Sequence, residues 1–582
     1  MQEGKLKFKD IFDGDKIFEI PEYQRAYTWE EKQLVDFLHD LKNQRIDKPY
    51  FFGTFLFHEA GEMDEFTKIY IVDGQQRITT SVIFIKAILD FLNSRGQLKK
   101  KIYRRYIEDE GVFKLNTSNN DNSFFHTYII NHNMPTDFDT KSQIRLFNAK
   151  RFFEEEINKL NTEIAEQLLQ KLENSLVLVH TVNNKSDAAQ IFELINDRGK
   201  RLTDLEAIKS FLMYQVSITL NRSEQLLGDI ENNFAKIYRK SESLEGLIKE
   251  EQIIMYYVIS SLNWTGQEFR NPKDFIKEII NQTYSSDNKI KLIKKISKEL
   301  KESFEIIEKI VMNSINAPKI DDLFMLNRIA NFYPLLMGSF KYDKYDDKRN
   351  FREIASLAEL YAFISLVAGK RADTGVKYFY ELARDFKGDF VQLYNDIKII
   401  FRDNWWRIIT LFKENVPNID FYDGVTKYIL FKYENYLRKQ KGFPVLTKKS
   451  FFENDSRLKL SIEHITAKKA KNLKFTEEFE ESYLHNIGNL VIDTVASNSS
   501  KGNNVVDKKI EAYNLAPLIS HNEIDKIVEE LSKKYGSFDW NNLGDVKRFI
   551  EFRREKIKEF IFEEWNYNTR AMFLDKGGHF TL

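Results

Sequence analysis

The sequence contains no cysteine. That one absence removes disulfides, thiolate nucleophiles and Cys-ligated zinc together, and it makes a reducing cytoplasm the expected compartment. Proline is scarce, nine residues in 582, so helices can run long without interruption. Net charge is missing as well: 88 Lys plus Arg balance 88 Asp plus Glu. No whole-molecule attraction to nucleic acid or anionic lipid results, and any polyanion site must be local. Nowhere do 18 apolar residues run together, and residues 1–12 alternate Lys with apolar residues instead of forming a continuous apolar stretch. Neither a membrane span nor a secretory signal is expected. The string G-x-x-x-x-G-K-[ST] is also absent, so any nucleotide chemistry proceeds without a P-loop.

What is present is apolar and aromatic material in quantity, 42% hydrophobic residues with 48 Phe and 27 Tyr, enough to build interiors and to argue against long disordered stretches. A chain this long divides into roughly three or four folding units. Its apolar periodicity predicts an α+β multidomain protein. Strands are expected at residues 16–20, 50–58, 68–72 and 175–182, with a turn over 59–65 and helices at 29–41, 76–92 and 188–195. Thr203 and Glu206 form a capping box that opens a further helix. From about 215 to 440 the 3.6-residue period dominates, as in Ile293, Ile296, Leu300, Phe304, Ile307 and Val311, and a helical middle is expected. Strand, loop and short helix return between 458 and 506. The expected domains are 1–215, 216–440, 441–515 and 516–582.

Two constellations carry chemistry. The first is YIVDGQQRITT at 70–80, a strand that ends in Asp73 and Gly74 and passes through Gln75, Gln76 and Arg77 into a helix. Strand-to-helix junctions aim backbone N–H groups and the positive helix end at one point, an environment suited to phosphate, and an Arg there grips phosphate bidentately. PEYQRAYTW at 21–29 adds Gln24 and Arg25, with Tyr23, Tyr27 and Trp29 able to stack on a base. NDRGKR at 196–201 is a third polar cluster. Taken singly, the Asp73–Gly74 pair reads first as an ordinary turn, Trp29 as a core residue, and the loop at 198–201 as a solvated surface.

The second constellation centres on two of the nine histidines, His464 in SIEHITAKK and His485 in YLHNIGNLVIDTVASNSSKGN. Glu463 and His464 end one strand-like run, Asn489 opens another, and Asn498 follows in a polar segment that begins a helix. This is the order of a ββα-metal, or HNH, nuclease. Phosphodiester hydrolysis requires a deprotonated water and charge set against the scissile phosphate, which a neutral His and one divalent cation supply. His464 is therefore the expected general base, Glu463 and Asn498 the expected ligands of Mg²⁺ or Mn²⁺, and Asn489 the group orienting the His loop. For His485 three roles stay open: phosphate contact, protonation of the leaving group, or structure. Between Lys427 and Lys474, thirteen Lys or Arg face four acids. That local excess suits backbone-led DNA binding, with Lys468, Lys469 and Lys471 nearest the proposed catalytic strand.

Taken in order, PEYQRAYTW, FFGT at 51–54, VDGQQRITT and FELINDRGKRLTDLEAIK resemble the N-terminal domain of GmrSD-type modification-dependent (type IV) restriction enzymes. IEHI, HNIGNLVI and the pair Asn498 and Asn503 resemble that family's C-terminal nuclease domain, with Ala467 where a Pro is usual. The resemblance implies a ParB/sulfiredoxin-like α/β domain in which Asp73, Gly74, Gln75, Gln76 and Arg77, with Gln24 and Arg25 as neighbours, bind and hydrolyse a nucleoside triphosphate. It implies a cytoplasmic, metal-dependent endonuclease controlled by that nucleotide, acting on modified phage double-stranded DNA, with a homodimer open and no membrane. Two other readings stay open. One is a phosphorothioate-sensing nicking nuclease of the SspE type, and the other is a non-cleaving, nucleotide-switched DNA-binding scaffold. Trp405 and Trp406 are candidates for base stacking, with a core role the plainer explanation.

Overall fold

The computed structural model describes the chain except residues 1–2, 45–49, 64, 197–202, 221–223, 403–405, 456, 470–472, 503, 505, 507–508, 510–512, 514–517 and 567–582, and gives the backbone alone at 63, 119–120, 189 and 192–196. Most of NDRGKR, Trp405, Lys471 and Asn503 therefore lie outside the described residues. The fold is α+β, mostly helical, and divides into two compact units, Met1–Val258 with Trp264–Val311, and Ile259–Asn263 with Met312–Leu582. The helical stretch at 216–440 is split between them.

In the first unit a six-stranded mixed sheet has the order β1-β8-β3-β4-β2-β7. Its members are β1 (Gly4–Lys7), β2 (Lys16–Glu19), β3 (Phe51–Met63), β4 (Phe66–Asp73), β7 (Leu115–Asn116) and β8 (Leu176–Val182), with β5 (Glu108–Asp109) and β6 (Val112–Phe113) paired apart. The turn expected over 59–65 is instead strand as far as Met63. Once β4 offers partners, the turn-prone residues pair with it across a bulge at Glu59/Gly61, and Gly61 takes φ 111° there. The helix Gln75–Asn93 is buried on nearly every side, as befits a segment apolar all round. It packs with Lys141–Asn158 and Thr162–Asn174 over a core that includes Phe8, Phe55, Phe57, Ile69 and Ile71. The capping box closes reciprocally, Thr203 N to Glu206 Oε2 at 2.9 Å and Glu206 N to Thr203 Oγ1 at 3.3 Å. The 26-residue helix Ser286–Val311 buries the six apolar positions named above against Glu224–Leu244.

Among the described residues the second unit pairs two strands, β9 (Leu460–His464) and β10 (Leu490–Thr494), antiparallel. The short helix Val495–Lys501 follows β10 directly, so strand, strand and helix come in the expected chain order. Thr426–Gln440, Ile519–Tyr535 and Leu543–Glu564 pack around them. Trp406 stands edge-on to Tyr378, ring centroids 5.4 Å apart.

Candidate functional site

Strand alternation sets the layout of the second unit's polar residues. Along β9, Ser461 and Glu463 point to one face, and His464 points to the other. Opposite Glu463 stands Val491, and opposite Ser461 stands Asp493.

On the His464 face, its Nε2 lies 3.2 Å from Nδ1 of His485, with the two rings nearly perpendicular. Phe421 packs its ring 4.8 Å from that of His464, and the Lys468 ammonium stands 4.2 Å above Phe421. Burial, then the positive charge of Lys468, pushes His464 down to about 3. His485 is lowered for the same two reasons, with Asp420 acting against them. Two neutral imidazoles hold a single proton between Nε2 and Nδ1. Nδ1 of His464 has no hydrogen-bond partner among the described residues.

Three residues of this face come from a segment that sequence spacing did not flag. Phe421 N donates to the His485 carbonyl at 2.8 Å, Asp420 bridges to Asn486, and Tyr422 Oη lies 3.5 Å from His485 Nε2. They lie some forty residues upstream of His464, and no periodicity links the two stretches. Asn489 is fully buried. It accepts from Thr466 N at 2.9 Å and donates to the carbonyls of Thr466 and Leu484 at 3.2 and 2.8 Å. One amide thus ties the chain following His464 to the chain preceding His485. A second brace is Arg553, also fully buried, which donates to the carbonyls of Ile487, Gly488 and Leu490. Gly488 permits the approach, since a Cβ there would fall 2.1 Å from the Ile550 carbonyl oxygen.

The opposite face is closed by ion pairs. Glu463 Oε1 receives the Lys509 ammonium at 2.6 Å and lies 3.5 Å from Tyr513 Oη. Lys501 pairs with Asp493, both buried. Burial raises the Glu463 carboxyl, and Lys509 opposes that rise. Asn498 Nδ2 donates to Ser461 Oγ at 3.1 Å and to the Ile462 carbonyl at 3.2 Å. Since Ser461 and Glu463 share a face, Asn498 and Glu463 stand on the same side of the sheet. In kind, one carboxylate and one amide oxygen fit a hard divalent cation, and the Lys509 ammonium is the positive charge that Glu463 holds here. No group of three or more His, Asp or Glu is gathered for a cation among the described residues. The structure therefore brings His464, His485 and the Asn489 loop together, and sets Glu463 and Asn498 on the other face.

Lys468 and Lys469 are exposed. Part of the basic stretch is spent internally, because Lys432 pairs with Asp322, Arg438 with Glu434 and Lys448 with Asp321.

In the first unit the strand-to-helix junction is as expected, and Gly74 is the left-handed residue that starts the Gln75–Asn93 helix. Its polar side chains are largely engaged with the protein itself. Gln76 accepts from Thr28 N at 2.9 Å and donates to the Ala26 carbonyl at 3.0 Å. Gln24 donates to the Val72 carbonyl at 2.8 Å. Arg77 donates to the carbonyls of Phe52 and Thr54 at 3.1 and 2.6 Å, with Asp73 3.9 Å away. Arg25 pairs with Glu250 at 3.3 Å. Gln75 is buried with its side-chain oxygen unpartnered. Gly53 of FFGT leaves the space through which Arg77 passes, since a Cβ there would sit 1.6 Å from its guanidinium.

Residues 8–213 match the N-terminal domain of the GmrSD restriction endonucleases, and residues 408–543 match their C-terminal domain. The chain belongs to the GmrSD family. No match to a curated protein was found. In this GmrSD chain the second match covers both strands, both histidines and the Phe421 segment, whereas Arg553 falls beyond it.

Two consequences are measurable. Gly74→Ala would force a side chain into the left-handed region at φ 96° and place Cβ 2.3 Å from the Phe55 ring. A loss of about 2–4 kcal/mol is expected, read by urea unfolding of the full chain. His521, 1% exposed, has one ring nitrogen 2.9 Å from the Ile492 carbonyl, and burial lowers it to about 4. An unfolded His takes up its proton near pH 6.5. The stability from the neutral ring is thus complete above that pH and lost as pH falls from 6.5 toward 4, at up to about 1.4 kcal/mol per pH unit. Urea midpoints at pH 7 and pH 5 should differ in that direction, and His521→Phe should reduce the difference.

Proposed function

We propose that the chain is a nucleotide-regulated, divalent-metal-dependent DNA endonuclease that restricts modified foreign DNA such as phage DNA. One observation carries the chemistry: His464 is held neutral against His485, with Nδ1 unpartnered. A neutral imidazole accepts a proton from water, whereas a protonated one cannot. If His464 donates from Nε2 to His485 Nδ1, its Nδ1 lone pair faces outward as the base, and His485 Nε2–H is left toward Tyr422. His485 is then a positioning residue that fixes the tautomer of His464. Asn489 secures the same arrangement from the backbone side. Mg²⁺ or Mn²⁺ would offset charge on the scissile phosphate, and for Glu463 and Asn498 to hold it beside His464 their side chains would have to leave Lys509 and Ser461 on the opposite face.

Lys468 and Lys469, with Lys471, supply the contact to the DNA backbone. Changing Lys468 and Lys469 to Ala should weaken binding across sequences alike and reduce the salt slope of log K by about one per residue, as measured by fluorescence anisotropy from 50 to 200 mM salt. In the first unit, Asp73 to Arg77 with Gln24 and Arg25 form the nucleotide-responsive region. Its internal bonding supports a role in transmitting occupancy through the β3 and β4 backbone.

The test is a digestion panel of plain, methylated, glucosylated and phosphorothioated DNA, with Mg²⁺, Mn²⁺ or EDTA, each with and without triphosphates. Cutting confined to modified DNA, abolished by EDTA and altered by triphosphate is expected. Equal cutting of all four substrates would remove the modification requirement, and cutting in EDTA would remove the metal.

A further inference from the structure

Tyr422 is 70% exposed, and it stands beside the two histidines. Its ring centroid is 4.9 Å from that of His485, which in turn is 5.2 Å from that of His464. The ring is also edge-on to Phe421, with centroids 5.3 Å apart. Exposed apolar groups are ordinary when scattered singly, so exposure alone implies nothing. What sets this ring apart is how firmly its backbone is held. Tyr422 N donates to Asp420 Oδ1 at 2.7 Å, Asp420 N to Asp423 Oδ2 at 2.9 Å, Phe421 N to the His485 carbonyl at 2.8 Å, and Thr426 Oγ1 to the Asp420 carbonyl. The turn thus fixes an aromatic ring in solvent, next to the pair of imidazoles. The hydroxyl makes at most a long contact, 3.5 Å from His485 Nε2.

The surroundings select the ligand. Nucleobases stack on aromatic side chains whatever the base, because every base has a π-face. Lys468, exposed and without an ion pair among the described residues, holds its ammonium 4.2 Å over Phe421, so a cation suited to phosphate stands against the same aromatic pair. Asp420 and Asp423, the acids of the turn, are both engaged by its backbone N–H groups. Open aromatic face, ammonium and neutral imidazole match the base, the phosphate and the scissile bond of one nucleotide.

We propose that Tyr422 is the stacking platform for the nucleobase next to the scissile phosphate, and that the nuclease unit therefore cuts DNA whose base at that position is unpaired faster than continuous duplex. The proposal rests on the endonuclease reading above. A base inside a duplex is already stacked on its neighbours and must leave them to reach Tyr422, at a cost that is least for a mismatched or single-stranded base.

The experiment uses the full chain and one oligonucleotide sequence in three forms: single strand, duplex with a central bubble, and continuous duplex. Cleavage with Mg²⁺ gives kcat and KM. A 2-aminopurine at the centre of the unpaired segment reports stacking by its fluorescence, read in EDTA so that binding is seen without cutting. Wild type is expected to cut the two unpaired forms about tenfold or more faster than the duplex, and to quench the probe. Tyr422→Ala should lose about 5- to 150-fold in kcat/KM on the unpaired forms, together with the quench, at unchanged Tm. Tyr422→Phe should behave as wild type and Tyr422→Leu as the Ala variant. Full activity in Tyr422→Leu would mark a merely structural side chain, and loss in Tyr422→Phe would mark a role for the hydroxyl; either overturns the platform. Wild-type cutting without preference for unpaired DNA, or undiminished cutting by Tyr422→Ala, overturns it while the endonuclease reading stands. A wild type that neither cuts nor quenches removes both.

Discussion

His464→Ala is expected to lower DNA cleavage by about 10³-fold while leaving DNA binding and the fold in place. General-base catalysis contributes roughly 10²–10⁴, and His464 keeps one ring nitrogen free while His485 contacts the other. The exposed Lys468 and Lys469 side chains, proposed to contact DNA, are untouched by the change. Supercoiled-plasmid nicking measures the first quantity, filter binding or anisotropy the second, and thermal unfolding the third. His485→Asn gives the finer test, since an amide oxygen can stand near the Nδ1 position and accept from His464. It should retain far more activity than His485→Ala. Undiminished cleavage by His464→Ala would sink the base assignment, and equal loss in both His485 variants would sink the positioning role.

Lys509→Met is expected to destabilise the second unit by about 3–5 kcal/mol, the usual cost of leaving a buried charge without its partner. Glu463 is 4% exposed and Lys509 is 1% exposed, so water cannot replace the missing ammonium. Removing both charges in Glu463→Gln with Lys509→Met should recover most of the loss, because a matched pair of neutral groups leaves no desolvated ion. Urea unfolding of the two single variants and the double variant closes the cycle, and additive losses would show that the pair is not coupled. The same variants bear on the metal. With Lys509 neutral, Mn²⁺ should bind more tightly and restore part of the lost stability. Titration followed by thermal shift reads that directly, and a flat response would remove Glu463 from the ligand set.

What sequence alone determined here were features set by neighbours along the chain. The alternation of Leu460–His464, the capping box at Thr203 and the six apolar positions of Ser286–Val311 depend on local period and local hydrogen bonds, which a linear string displays. The two histidines and the DGQQR junction were legible for the same reason. Tertiary structure decided what those motifs touch. Arg77 and Gln76 turned inward to backbone carbonyls, Glu463 turned to Lys509 and away from His464, Phe421 and Tyr422 arrived at the histidines from a distant segment, and Arg553 arrived at the backbone of residues 487–490. Such meetings depend on packing between segments far apart in sequence, where burial favours partners for most donors, acceptors and charges, and no spacing in the chain encodes which partner that is.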